Sequence, residues 1–227
     1  MAVLASGGGT NLQSLLDRLN VAPSPVARVE LVVGSRTGIG AMDRAERAGV
    51  AGVALPVREL GPETYASALL GELERHRIDL VVLAGFLQLV PTAVVERYGG
   101  RIINIHPALL PAFGGAGMYG MRVHRAVIES GARVSGATVH HVTEEYDSGA
   151  IIAQWPVPVL PGDTPEALAA RVLAVEHRLL PAVVEALARG AAPPMQQLTD
   201  PVAFDLVPHA HPADESLRGL FVVGNRG

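Results

Sequence analysis

The sequence lacks cysteine and lysine altogether, and aromatic residues make up only 4% of its 227 positions. Without cysteine the chain forms no disulfide, thiolate nucleophile, iron–sulfur cluster or cysteine-ligated zinc site. Without lysine it forms no Schiff base and cannot supply the lysine of a Walker-type phosphate loop. Histidine, carboxylate, amide, hydroxyl and arginine side chains are left as the groups available for chemistry.

Long hydrophobic runs are absent as well, because every apolar run is interrupted well before the roughly 20 residues that span a bilayer. The first residues are already strand-like, so we expect no targeting peptide, a cytoplasmic location and no membrane partner. A formal net charge of -4 gives no basis for non-specific binding to nucleic acid.

Apolar runs alternate with amphipathic segments along the chain. The patterns predict strands at 2–5, 29–35, 52–57, 79–86, 101–106, 134–142 and 150–159. They predict helices at 12–20, 41–49, 62–77, 91–98, 122–131 and 164–190, the last with a bend at Pro181. This alternation indicates an α/β fold with a mostly parallel sheet and helices on both faces. We expect one domain over residues 1–190, followed by a proline-rich tail at 191–227 with no assigned role.

The first strand is followed by "SGGGTN" at 6–11 and then by a helix. A helix N-terminus at the end of a parallel strand binds anions on its backbone N–H groups. The dinucleotide and Walker patterns both fail here, which favours a single phosphate monoester held by Gly9, Thr10 and Asn11. The alternative is a tight turn with a helix cap and no ligand.

Asn104 and His106 occupy alternate positions of "RIINIHPALLP", so both side chains lie on the same face of a strand that Pro107 ends. An amide at this edge can donate to a developing oxyanion, and an imidazole can move a proton near neutral pH. The alternative is a buried histidine beside a turn asparagine. Asp147 is the natural partner of His106, although the spacing in sequence does not show that they meet. His140 either faces the same cleft or the surface.

A serine hydrolase and a metal-binding site have less support in the sequence. No Gly-x-Ser-x-Gly elbow occurs, which argues against a serine hydrolase. His209 and His211 lie in the tail, where two histidines are more often incidental than metal ligands, so we expect no metal site.

Several segments, taken in order, resemble the phosphoribosylglycinamide formyltransferase family of folate-dependent enzymes. They are "SGGGTNLQSLLD", "DLVVLAGFLQLV", "RIINIHPALLPAF", "GATVHHVTEEYDSGAII" and "VEHRLLPAVV". The resemblance covers about residues 1–190 and implies a Rossmann-like catalytic domain. It implies transfer of the formyl group of 10-formyltetrahydrofolate, a co-substrate, to the amine of glycinamide ribonucleotide in purine biosynthesis. It further implies small-molecule substrates, no nucleic acid and no metal, with the protein a monomer or a homodimer.

Residue by residue, the resemblance implies roles for three groups of positions. The catalytic residues would be Asn104, His106 and Asp147. Glycinamide ribonucleotide would be bound by Gly9, Thr10, Asn11 and Glu176, the last of which otherwise looks like an exposed helical carboxylate. The folate would be bound by Leu87, Gln88, Leu89, Val90, Asn104, Thr143, Glu144, Glu145, Tyr146 and Asp147.

The sequence departs from this family at two places. Pro62 stands where many members carry a basic residue that would meet the folate tail, and Arg58 is a possible substitute. The glycine-rich loop at 113–121 is longer than in the shortest members.

Three other functions compete with this one. The first is formyltetrahydrofolate deformylase, although that family usually has a further N-terminal domain. The second is methionyl-tRNA formyltransferase, which usually has an RNA-binding C-terminal domain, and the third is a non-catalytic binding protein.

Overall fold

Seven strands form one sheet in the computed structural model, which describes residues 1–21 and 26–190. The strands are β1 (Ala2–Ala5), β2 (Leu31–Gly34), β3 (Ala51–Ala54), β4 (Val81–Leu83), β5 (Ile102–His106), β6 (Val134–His141) and β7 (Ile151–Pro158). They lie in the order β3-β2-β1-β4-β5-β6-β7. Strands β1 to β5 run parallel, whereas β6 and β7 are antiparallel to their neighbours. The predicted tail at 191–227, with His209 and His211, lies outside the described residues.

The helices connect these strands and cover the sheet. They are α1 (Thr10–Leu15), which continues as a π-helical turn (Leu16–Asn20), α2 (Gly40–Arg47), α3 (Val57–Leu60), α4 (Pro62–Arg75), α5 (Thr92–Arg97), α6 (Met121–Glu129) and α7 (Pro165–Ala188). Among these described helices, none combines the length and apolar character that crossing a bilayer requires.

Alternating strand residues divide the hydrophobic core between the two faces of the sheet. On one face, Val3 and Ile103 belong to a cluster that includes buried residues of α1, α2, α6 and α7. On the other face, Leu4 and Ile102 pack with buried residues of α4 and α5. Because helices cover both faces, the inner strands are apolar on both sides, which explains their nearly continuous hydrophobic sequence.

The predicted mostly parallel α/β architecture is confirmed, with local differences in the extent of the elements. The run at 79–86 forms a ladder only over Val81–Leu83, because the chain turns out of the sheet at Gly85, where φ is +69°. The long C-terminal helix is continuous over Pro165–Ala188 and contains Pro181 in its interior. The sequence patterns therefore located every element except α3 (Val57–Leu60), whose first residue was predicted to end a strand at 52–57. Tertiary contacts decided where the strands end.

The strand order reverses between β1 and β4, which places a crevice beyond their carboxyl ends. The chain segments leaving these strands are tied together, since Ser6 N–H donates to the Gly85 carbonyl at 3.0 Å. The Leu87 N–H in turn donates to Ser6 Oγ at 3.1 Å. The glycine loop and the 85–90 segment are thus fixed side by side at this edge.

Thr138 of β6 fixes the chain that leaves β5. It pairs with His106 in the antiparallel ladder and is fully buried. Its Oγ1 donates to the Ala108 carbonyl at 2.6 Å. The same oxygen accepts hydrogen bonds from the Leu110 N–H and from Gln154 Nε2, each at 3.1 Å. One hydroxyl therefore satisfies two main-chain groups of the segment that follows His106 and links that segment to Gln154 of β7.

We expect Thr138→Val to lower the free energy of unfolding by about 1–3 kcal/mol, since it leaves buried polar groups without a partner. Ser135→Ala is the matched control, because Ser135 is also buried on β6 but its Oγ has no partner among the described residues. That variant should change stability by less than about 0.5 kcal/mol. Chemical denaturation of both variants measures the difference, and equal losses would contradict the role given to Thr138.

Candidate active site

A cavity of about 540 Å³ lies at the carboxyl edge of the parallel strands. Its walls come from the segments that follow β4 and β5, from the glycine-rich loop before α6, from the end of β6 and from one side of α7. Asn104, His106 and Asp147 all line it. The structure therefore brings together the three residues that the sequence proposed for catalysis.

His106 is held at the floor of this cavity with only 3% of its surface exposed. Its Nε2 lies 2.9 Å from the Phe113 carbonyl oxygen, which can only accept, so Nε2 carries a hydrogen. Its Nδ1 lies 3.4 Å from Asp147 Oδ2. In the neutral ring Nδ1 would turn a lone pair toward a carboxylate, whereas in the protonated ring both nitrogens donate. The surroundings of the ring thus suit the imidazolium.

Polar groups of several segments surround the carboxylate of Asp147. The Gly115 N–H donates to Oδ2 at 2.9 Å, and Asn104 Nδ2 donates to Oδ1 at 3.4 Å. His140 Nε2 lies 3.5 Å from Oδ1. The backbone of Asp147 adopts φ +53°, a left-handed conformation that aspartate tolerates better than most residues. This turn conformation aims the side chain inward, away from the solvated turn that its acidic neighbours suggest.

Asn104 and His140 meet because they are directly paired in the ladder between β5 and β6. Asn104 Nδ2 lies 3.0 Å from His140 Nε2. His140 Nδ1 lies 2.8 Å from the His141 carbonyl oxygen and therefore carries the hydrogen, which leaves Nε2 of the neutral ring to accept from Asn104. His140 thus faces the cleft, and it orients the amide of Asn104.

The glycine-rich loop before α6 closes over these side chains. A Cβ at Gly114 would lie 3.2 Å from the Asp147 Cβ and still closer to the Leu110 side chain. Only glycine lets this loop approach near enough for the Phe113 carbonyl and the Gly115 N–H to reach His106 and Asp147. The glycines of this segment are therefore part of the site's construction.

Burial and charge act in opposite directions on the His106–Asp147 pair. Burial lowers the pKa of His106 below the ordinary value for histidine, while the Asp147 carboxylate and the Phe113 carbonyl act to raise it. For Asp147, burial would raise the pKa, but the contact with His140, the charge of His106 and the Gly115 N–H outweigh it. The net pKa of Asp147 lies below its ordinary value, so this carboxyl is ionised at neutral pH.

The predicted anion loop lies at the N-terminus of α1. Gly9 is the N-cap residue, with φ +73° and ψ +32°, and a Cβ there would lie 2.8 Å from the Ala41 Cα. Thr10 is exposed and lines a second, smaller cleft with Arg44 and His177. Only Asn11 of the three predicted loop residues lines the main cavity.

Glu176 is buried, with 6% of its surface exposed, on the side of α7 that faces the cavity. Asn11 Nδ2 donates to its Oε2 at 2.9 Å, which links the end of the glycine loop to α7. Burial raises the pKa of Glu176 to about 7, although the hydrogen bond from Asn11 acts against this shift. Helical periodicity alone had suggested an exposed carboxylate at this position.

Most of the predicted folate segments also face the cavity. Its lining includes Leu87, Gln88, Leu89, Val90, Thr143, Glu145 and Tyr146. Glu144 is exposed and does not belong to the lining. Pro62 opens α4 and Arg58 lies in α3, and neither is among the described residues that line the cavity.

Sequence reasoning missed His124. This residue lies in the first turns of α6 with 5% of its surface exposed, and it lines the cavity. Its Nδ1 has no partner among the described residues. Burial, together with the charge of His106, lowers its pKa. The amphipathic pattern of α6 predicts that one face of the helix is buried, but it does not show that His124 on this face lines the cavity.

Within the described ranges there is no cluster of three or more side chains suited to binding a metal ion.

Residues 1–184 match the family model described as formyl transferase. A relative named phosphoribosylglycinamide formyltransferase, chloroplastic, from Arabidopsis thaliana is 45% identical over 189 residues, which are 82% of this chain and 64% of that protein. A protein of the same name from Vigna unguiculata is 45% identical over 188 residues, or 82% of this chain and 60% of its own length. The chain thus spans less than two thirds of these plant relatives.

Solved structures show the same architecture. A crystal structure of glycinamide ribonucleotide transformylase 1 from Symbiobacterium toebii superposes with a TM-score of 0.77 at 41% identity, covering 83% of this chain and 87% of that one. The fold of the present chain therefore recurs in a protein of similar sequence.

We expect the contribution of Glu176 to the stability of the protein to fall as pH rises from about 4.5 to 7. In that window the unfolded chain has already released the proton that the buried carboxyl still holds, so ionisation favours unfolding. Glu176→Gln cannot ionise and keeps an acceptor for Asn11. Its melting temperature relative to wild type should therefore rise with pH, as thermal scans between pH 5 and 8 can measure. Glu166→Gln, exposed at the start of the same helix, is the control and should show no such trend.

We expect Asp147→Asn to lower the pKa of His106, because the substitution removes the negative charge that favours the imidazolium. Titration of the His106 ring signals by NMR measures this shift directly. Glu145→Gln removes a charge from the exposed rim of the same cavity and should leave the His106 titration nearly unchanged. An equal effect of both variants would mean that Asp147 influences His106 only through the summed electrostatic field of the cavity and not through their direct contact.

Proposed function

The chain belongs to the formyl transferase family, and from this premise we propose that it transfers a formyl group from 10-formyltetrahydrofolate to the amine of glycinamide ribonucleotide. The products are formylglycinamide ribonucleotide and tetrahydrofolate, in the biosynthesis of purines. The observation that carries the proposal is the meeting of Asn104, His106 and Asp147 on the floor of one cavity. The names of the plant relatives and of the Symbiobacterium structure support the same reaction.

The two ends of the cavity suit two different ligands. At one end, Asn11 and the buried carboxyl of Glu176 line the cavity, and the glycine loop that precedes Asn11 lies beside it. This end suits a phosphorylated sugar, with the loop N–H groups for the phosphate and Glu176 for the ribose hydroxyls. A ribose hydroxyl can donate to Glu176 in the same way as the Asn11 amide does. Ligand binding would then favour the ionised carboxylate and release a proton near pH 7.

The other end of the cavity suits a flat heterocycle with an apolar body. Leu87, Leu89 and Tyr146 are large, partly exposed side chains at its rim. Gln88 Oε1 is buried without a partner among the described residues, which provides an acceptor for a ring N–H group. These residues fit a pterin, which combines an aromatic ring with N–H donors and acceptors, and we assign them to the folate.

In the proposed reaction, the substrate amine attacks the formyl carbon and forms a tetrahedral intermediate with a negatively charged oxygen. Asn104 Nδ2 donates to that oxygen in place of its 3.4 Å contact with Asp147 Oδ1, and the protonated Nδ1 of His106 stabilises the same charge. The Nε2–H of His106 stays on the Phe113 carbonyl, so Nδ1 is the atom at which a proton is held or moved. The amine nitrogen loses a proton, the nitrogen of the leaving folate gains one, and the carbon–nitrogen bond to the folate breaks.

Asp147 supports this step through His106. Its carboxylate, ionised at neutral pH, acts against the burial that lowers the pKa of the His106 ring and so favours the protonated form. His140 holds the amide of Asn104 in register with the same carboxylate. Within the proposal, the donor Asn104 and the proton carrier His106 are therefore preorganised on alternate positions of one strand end, which avoids reorganisation during the reaction.

We propose a single catalytic domain over residues 1–190, a cytoplasmic location and a monomer or homodimer that acts on small molecules without a metal. The family match ends near the same place, at residue 184. The plant relatives carry the word chloroplastic in their names, so the location of those proteins differs.

The decisive experiment measures formyl transfer to glycinamide ribonucleotide, with a parallel reaction that contains no amine. Product that forms only with the ribonucleotide supports the proposal. Release of formate at the same rate without it would instead indicate a formyltetrahydrofolate deformylase. This control is needed because a deformylase catalyses the attack of water, instead of an amine, on the same formyl carbon.

We expect His106→Ala and Asn104→Ala each to lower kcat by about two to four powers of ten, the usual scale for an acid–base group or an oxyanion donor. Because both act on one developing charge, the double variant should lose less than the product of the two single losses. Thermal unfolding of each variant must accompany the kinetics. Near-normal turnover together with a large loss of stability would mean that the two side chains only anchor the end of β5.

A further inference from the structure

Arg44 of α2 reaches back to the glycine loop that follows β1. Its Nε donates to the Gly8 carbonyl oxygen at 2.8 Å, and its Nη1 donates to Gln13 Oε1 at 2.8 Å. We propose that Arg44 is a positioning residue for phosphate binding, which fixes the peptide groups of the loop so that their N–H groups face the ligand. The proposal rests on the proposed function in so far as the substrate carries a phosphate.

The loop has an unusual need for external support. Gly7, Gly8 and Gly9 follow one another, and glycine has the largest backbone freedom of any residue. The loop offers no side chain between Ser6 and Thr10 through which packing can hold it. An anion site made of backbone N–H groups requires those groups to point in one direction. Some other part of the fold must therefore set the orientation of these peptide planes.

Two contacts from α2 do this on consecutive peptides. The Ala41 N–H donates to the Gly7 carbonyl at 3.1 Å, and Arg44 donates to the Gly8 carbonyl. In a trans peptide the N–H lies opposite the carbonyl of the preceding residue. With both carbonyls turned toward α2, the N–H groups of Gly8 and Gly9 point away from it. Within residues 1–21 and 26–190, neither N–H donates to another protein group.

Close packing leaves no space for another residue type at this contact. A Cβ at Gly40 would lie 3.0 Å from the Gly8 carbonyl oxygen, and one at Gly9 would lie 2.8 Å from the Ala41 Cα. The start of α2 therefore touches the loop over its whole length. Arg44, one turn further along α2, reaches the same surface with a charged side chain.

The second contact of Arg44 connects the loop to the helix that follows it. Gln13 lies in the first turns of α1, and its Nε2 donates to Asp17 Oδ1 at 2.7 Å. This hydrogen bond orients the amide so that its oxygen faces Arg44. The rigid fork of the guanidinium thus holds the Gly8 carbonyl and α1 in a fixed relation, which a single-donor side chain cannot do. Its positive charge also favours an anion at the loop.

Arg47 provides a matched control on the same helix. It is exposed, and its Nε donates to the Asp43 carbonyl within α2 rather than to the loop. Truncation at either position removes one positive charge from α2. Only truncation of Arg44 removes a contact with the glycine loop.

The test titrates ribose 5-phosphate, a simple phosphate monoester, into the full-length protein by calorimetry. Arg44→Ala should weaken its binding by about 10- to 100-fold, the range covered by loss of one charge-assisted hydrogen bond. Arg47→Ala should bind like wild type. In formyl-transfer assays, Arg44→Ala should raise the KM for the ribonucleotide by a similar factor, while kcat and the KM for the formyl donor stay within about twofold of wild type.

Gln13→Ala is the second variant, because it removes only one of the two contacts of Arg44 and leaves a good helix former at that position. It should weaken binding of ribose 5-phosphate by a smaller factor than Arg44→Ala, and it carries the test if Arg44→Ala fails to fold. Equal affinity of Arg44→Ala and Arg47→Ala, or no effect of Gln13→Ala when it alone is folded, would overturn the proposal. Absence of binding by wild type would overturn it too. Formyl transfer by the wild-type protein is measured separately, so failure of the proposed reaction can be distinguished from failure of the role proposed for Arg44.

Discussion

The ionised carboxylate of Asp147 is the constraint around which the cavity floor is arranged. A charge in a largely desolvated position requires several donors, and here they come from Asn104 and His106 on β5 and from the Gly115 N–H in the loop before α6. The register of β5 with β6 places His140 where it orients the Asn104 amide, and the glycines of that loop let the backbone donor approach. A change in either would leave the charge uncompensated, so packing and electrostatics support the same geometry.

The cavity contains a second carboxyl group whose environment has the opposite effect. Glu176 is buried with a single amide donor, and its pKa is raised to about 7. Asp147 has several donors and a lowered pKa. Near neutral pH, Asp147 is therefore ionised, whereas Glu176 titrates. Asp147 suits a permanent role beside a histidine, and Glu176 suits an exchangeable role in which ligand hydroxyls replace missing donors.

Support from outside the cavity is equally specific. Thr138 holds the chain that leaves β5, and the start of α2 holds the loop that leaves β1. Both use hydrogen bonds to main-chain carbonyls, which set the direction of peptide groups. Loops at a strand edge carry the ligand-binding groups, and these contacts give the loops the rigidity of the sheet and helices beneath them.

The sequence by itself determined the strands and helices, the mostly parallel sheet and the shared face of Asn104 and His106, because these follow from local periodicity and from proline and glycine. The turn at Asp147 and the anion loop were also visible as motifs. Only the tertiary structure decided that Asp147 turns inward, that His140 pairs with Asn104 and that Glu176 is buried. These facts depend on contacts between segments distant in the chain. Burial and pKa follow from those contacts, since a glutamate side chain is solvated on one side of α7 and desolvated on the other.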